Sequence, residues 1–357
     1  MVTTGAPGLV SGTIAGVFPS TPQDGDHDPW DADNTRQVAR LTPSRSSSGF
    51  YAGAPEGQSG TISRRPQSLE DVEEDEPEEI EFVPVRRNLS LAIAGFAALL
   101  GLGLILGAET SGPDARLPYA IVIFGVQLLF VLAWTMAIRP PAPGIVAGVC
   151  AVVAAAVDYS AISTTTASLA PLGYVAAGGF ALAVIGQLIR PADRARVTDS
   201  LGTTLLIVVG VVSFASLIVL TRKPVGTQTV LVCLAAAGVA VFVARLTDAV
   251  FAKPRLAPQV PRGAAGIVVG AMLGTLGAAV LGSWLVLPFN PGKGAILGLV
   301  TAGVAVLVDL AVNYAETSRN MAGDAPTFWL ARHMQGPLGA FALAAPAAYA
   351  MAIFFLS

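Results

Sequence analysis

The chain has 357 residues, of which 53% are apolar and only 13% charged; its mean hydropathy is +0.65 and its formal net charge −3. Soluble globular domains carry about 25% charged residues, so an ordinary water-facing surface is excluded for most of this polypeptide. Fifteen of the 24 acids lie in residues 1–85; the net charge therefore belongs to that stretch and gives no ground for a nucleic-acid partner.

Residues 1–85 are rich in Gly, Pro, Ser, Thr and Asp and show neither helical nor strand periodicity. Such a segment cannot bury enough apolar surface to offset its ordering entropy, so a disordered, acidic, cytoplasmic tail is expected. The run Glu70 to Glu81 places nine acids in twelve residues. Like charges there repel and keep the chain extended, although such a run also suits a basic partner. Ser44 to Ser48 reads as linker before phosphorylation site. The first 30 residues hold no Lys or Arg and no continuous apolar core, so no cleaved signal peptide is expected.

From Asn88 onward the chain becomes a series of apolar runs. Each is long enough to cross a hydrocarbon core of about 30 Å, which takes about 20 helical residues. Helix is required because lipid offers no water to satisfy backbone groups. The fold class expected is therefore all-α: a polytopic membrane bundle over 86–357 with about nine spans. They are placed at 88–108, 116–138, 143–162, 169–189, 201–221, 227–251, 264–288, 293–315 and 336–356. Gly112-Pro113, Pro140-Pro141, Pro191, Pro224, Pro288 to Pro291 and Pro326 punctuate the breaks. Small residues inside the runs, as in Gly270-Ala271-Met272-Leu273-Gly274, let helices approach closely. Cys150 and Cys233 sit inside apolar runs without paired spacing and read as packing residues. With the tail cytoplasmic, twelve Lys and Arg fall on inside segments and four on outside ones. This bias predicts a cell-membrane protein with its N-terminus inside and its C-terminus outside.

Ionisable residues at bilayer depth are costly and mark function or an interior pairing. Asp158 is expected near the outer end of the third span, where the interface can solvate it. Arg245 and Asp248 lie three residues apart in the sixth span, the spacing of a local ion pair, with a polar pocket as the other reading. Asp309, in the eighth span, and Glu316 fall on nearly the same helical face. Together they can hold a divalent cation through oxygen ligands; alternatively one pairs with arginine and the other rests in water. His333, on a short amphipathic approach to the last span, reads as an interface residue.

Three segments of the later half carry a family resemblance. Phe251-Ala-Lys-Pro-Arg-Leu-Ala-Pro-Gln-Val-Pro-Arg262 resembles the F-G-K-x-x-L-A-P-x-I-S-P loop of CDP-diacylglycerol synthases (phosphatidate cytidylyltransferases). Residues 307–320, LVDLAVNYAETSRN, look like that family's G-D-L-x-E-S-x-x-K-R segment. His333 and the helix containing Ala344 to Tyr349 look like its final signature. The likeness covers about residues 200–357. It implies condensation of phosphatidate with CTP, with Mg²⁺ held by several acids if the chain is catalytic; no other cofactor is implied. Asp309 keeps one such acid, and Lys253, Arg255 and Arg262 stand as phosphate-binding bases. The family's other positions depart: its Asp before the loop falls near Val241, its two lysines near Gly263 and Ala264, and its Glu on Val312. Its Ser falls on Asn313 and its Lys-Arg pair on Glu316 and Thr317, while no Asp occurs between Ala331 and Ala345.

The resemblance thus implies a degenerate, non-catalytic homologue: a phospholipid-associated scaffold or regulator, partnered by membrane lipids and by a second copy or an active homologue. The alternatives are a working cytidylyltransferase rebuilt around Asp309, Glu316, Lys253 and Arg262, and a small-solute transporter.

Overall fold

The computed structural model describes residues 85–110, 115–189, 196–325 and 327–356. The expected tail, apart from Val85, lies outside the described residues, as do the breaks at Gly112-Pro113, Pro191 and Pro326. Nine helices are present among the described residues: α1 Arg87–Glu109, α2 Leu117–Ile138, α3 Pro143–Ser163, α4 Ala170–Leu188, α5 Val197–Thr221, α6 Gly226–Val250, α7 Ala264–Trp284, α8 Pro291–Met321 and α9 Trp329–Phe355. All nine are long and apolar enough to cross a membrane. Prolines open α2, α3, α4 and α8 in the first turn, where the missing N–H is no loss. Asn290 caps α8 by accepting from the Lys293 amide at 2.8 Å.

Two packing groups share the bundle. One comprises α2 to α5, and the other α6, α7 and α8 with α1, which packs far more on α6 than on its chain neighbour α2. α9 joins them, touching α8, α6 and α1 on one side and α5 and α2 on the other. α5 and α6 are the most enclosed helices. Leu99, Leu106, Ile121, Leu276 and Leu299 point outward, a surface suited to acyl chains and unsuited to water. Cys150 and Cys233 are buried and free, as packing residues.

Boundaries differ from expectation mainly in the last third. α8 runs to Met321, six residues past the expected end, and at 31 residues spans roughly 46 Å at 1.5 Å per residue. Its polar final turns are held from the side: Arg319 Nη1 donates to the Ala137 carbonyl at 3.1 Å. α9 begins at Trp329, so His333 lies inside a continuous helix and not on a separate approach. Two contacts stabilise that first stretch. Arg332 pairs with Glu316 of α8 at 2.5 Å, and the His333 ring meets Trp329 edge-to-face with centroids 5.3 Å apart.

α6, α7 and α8 fit through small residues. Gly266, Gly270 and Gly274 recur every fourth position along α7, so they share one face. A Cβ on Gly274 would stand 2.5 Å from the Ala236 carbonyl oxygen of α6, and one on Gly266 2.7 Å from that of Ala244. Gly298 and Ala278 make a similar close approach between α8 and α7. With no hydrophobic drive between helices in lipid, this contact area is what associates them.

Candidate functional site

Four charged side chains meet at the Arg86 end of the bundle. Arg245 comes from the last turns of α6 and Asp248 lies one turn further along. Arg262 closes the α6–α7 loop, and Asp309 projects from α8. Arg245 Nη2 donates to Asp309 Oδ1 at 2.5 Å, and Arg262 Nη1 to Asp309 Oδ2 at 2.6 Å. Arg262 Nε stands 2.9 Å from Asp248 Oδ2, an ion pair off hydrogen-bond alignment. Asp248 Oδ1 accepts from the Gly263 amide at 2.9 Å. The side chains of Arg262, Asp248 and Asp309 are 0% exposed and that of Arg245 only 7%.

Two cations and two anions alternate, so the network is neutral as a unit. Neutrality decides its energetics. Withdrawing one ion from water costs several kcal/mol, and only well-formed pairing offsets it. The loop is shaped to deliver Arg262. Arg255 and Gly263 form an antiparallel bridge, the Leu256 amide donates to the Arg262 carbonyl at 3.3 Å, and the Ala264 amide to that of Pro254 at 2.9 Å. Gly336 of α9 completes the enclosure, because a Cβ there would overlap Asp309 Oδ1.

Several expectations are corrected. Arg245 and Asp248 do not pair with each other; each takes a partner from another element, Asp309 and Arg262, whose side chains approach more directly than a neighbour on the same helix. Asp309 and Glu316 do not share a ligand. Asp309 is taken by two guanidiniums and Glu316 by Arg332 (2.5 and 2.9 Å), so neither acid is left to water. Lys253 is exposed and Arg255 half-buried. Asp158 is also buried, not solvated: Gln127 Nε2 donates to its Oδ1 at 2.9 Å and to the Val211 carbonyl at 3.0 Å.

The donor set does not fit the Mg²⁺ that the resemblance implies. Mg²⁺ needs carboxylate oxygens facing it in octahedral array, yet both Asp309 oxygens accept from arginine. Among the described residues no three His, Cys, Asp or Glu come together.

Gln127 and Gly336 were not singled out in the sequence. A glutamine in the otherwise apolar run of α2 is the signal for the first. Nothing local marks the second, since its role lies in what crosses it.

Fold and site together define a multi-pass integral membrane protein with a buried, charge-neutral ionic network. Comparison with protein-family models, with characterised proteins and with solved structures finds no match.

Proposed function

We propose that the chain is a non-catalytic, phospholipid-associated scaffold or regulator built on a fold like that of CDP-diacylglycerol synthases. One observation carries this reading. The acid that the resemblance assigns to metal binding, Asp309, spends both oxygens on Arg245 and Arg262. A carboxylate bridging two guanidiniums serves to hold α6, α8 and the loop together. Catalysis of phosphoryl chemistry asks instead for charge aimed at the developing transition state.

The test uses the purified full-length protein in detergent with phosphatidate, CTP and Mg²⁺. The expected result is no CDP-diacylglycerol above a protein-free control, with phospholipid retained through purification and cross-links to a second copy or an active homologue. Turnover that disappears in Asp309→Asn would overturn the proposal in favour of a working cytidylyltransferase.

The basic loops further support an N-terminus in the cytosol and a C-terminus outside, in the cell membrane. The odd number of candidate spans among the described residues, nine, supports termini on opposite faces. A reporter fused after Leu356 that is active only outside the cytosol is the expected outcome; cytosolic activity there contradicts the orientation.

A further inference from the structure

At the end of the bundle remote from Arg86, a cavity of about 620 Å³ opens between the start of α2, the α3–α4 loop and the α5–α6 turn. That volume lies in the range of small-ligand sites. Three cations line it, Arg116, Arg222 and Lys223, and no acid does among the described residues. Like charges gathered in one cavity repel, so their convergence needs a cause.

Part of the cause is structural. Arg222 Nη1 donates to the Ala161 carbonyl at 2.5 Å and Nη2 to that of Thr164 at 2.5 Å. Arg116 Nη1 donates to the Ile162 carbonyl at 3.0 Å. These bonds satisfy the last carbonyls of α3, the usual service of basic side chains at a helix C-terminus. They occupy both terminal nitrogens of Arg222 fully, since Nη1 also donates to Thr164 Oγ1 at 3.2 Å and Nη2 to the Thr165 carbonyl at 3.3 Å, and they leave two features unexplained. Lys223 makes no ion pair with a described residue, and caps nothing through its ammonium. The α6 N-terminus also opens here: Val225, at φ 52°, caps it with no side-chain hydrogen bond, while Thr227 and Gln228 line the cavity. First-turn amides have no carbonyl inside their own helix and favour negative charge.

We propose that this cavity binds a phosphate-bearing anion, held by Lys223, Arg116 and the Thr227 and Gln228 amides in the first turn of α6, with the Arg222 charge beside them. Guanidinium forks and helix N-termini both match phosphate oxygens in geometry and sign. Burial and the neighbouring Arg116 charge lower the Arg222 pKa below its ordinary value, a strain that an anion between the two would relieve. The anion is either the headgroup of an anionic lipid reaching this face or a soluble phosphate.

The experiment compares full-length wild type with Lys223→Gln in dodecyl maltoside micelles. One arm titrates inorganic phosphate calorimetrically; the other measures retention of phosphatidylglycerol doped into the micelles, with diacylglycerol as the phosphate-free control. Lys223→Gln is expected to weaken binding about tenfold, the loss of one charge-assisted contact, with its ligand-free melting temperature unchanged. Loss in the phosphate arm identifies a soluble ion, and loss in the lipid arm alone a headgroup. Should Lys223→Gln fail to fold, Arg116→Gln serves the same comparison. Equal binding by variant and wild type, or binding of neither probe, overturns the site.

Discussion

Arg262→Met is expected to destabilise the full-length protein by about 3–5 kcal/mol, the cost of removing one partner from a buried ionic pair. The reason is arithmetic in charge. Arg262 is the one cation that touches both acids; without it, Asp248 and Asp309 share a single arginine and one buried carboxylate loses its counter-ion. Adding Asp248→Asn restores neutrality and keeps an acceptor oxygen for the Gly263 amide. The double variant is therefore expected to recover roughly 2 kcal/mol relative to the single one, a coupling within the range found for residues of one network. Reversible unfolding in mixed micelles reads both. A neutral Arg262→Met, or a double variant no more stable than the single, would contradict the claim that these ions act as one unit.

The membrane architecture was legible because lipid imposes its rule locally. A run of about 20 apolar residues must be helix wherever it occurs, so α2 and α3 lie within one residue of expectation. Expectation failed where helix continues in polar sequence. Residues 316–320 lack apolar character, and α8 persists there because Arg319 reaches Ala137 and Glu316 reaches Arg332. Those contacts span 182 and 16 positions, beyond any local rule. The ionic network shows the same division. Sequence marked Arg245, Asp248 and Asp309 as costly charges that need partners, and Arg262 only as a phosphate-binding base of the loop. It could not assign them, because the pairings join residues 64 and 47 positions apart while helical spacing offered Arg245 a nearer, wrong partner.

The network also depends on how closely α7 lies against α6, and there a single methyl is the sharpest probe. Gly270→Ala places a Cβ against the Ala240 carbonyl oxygen, and that obstacle is main chain, so no side chain can turn aside. The helices must separate. Overpacking costs typically 1–3 kcal/mol, and a main-chain obstacle puts this substitution near the top, at about 3 kcal/mol. Gly277→Ala on the same helix meets nothing within 4 Å. It is expected to be neutral or to gain up to about 1 kcal/mol, because alanine is the better helix former. Opposite signs from the same chemical change, seven residues apart, would separate packing from propensity. The effect at Gly270 also reaches the charges, since α7 begins two residues after Arg262 and Gly266 abuts Asp248. Moving α7 outward draws the loop, and with it the Arg262 guanidinium, away from Asp309. Gly270→Ala and Arg262→Met combined should therefore cost less than the sum of the two. Strict additivity in that cycle would show that the glycine face and the ionic network are independent.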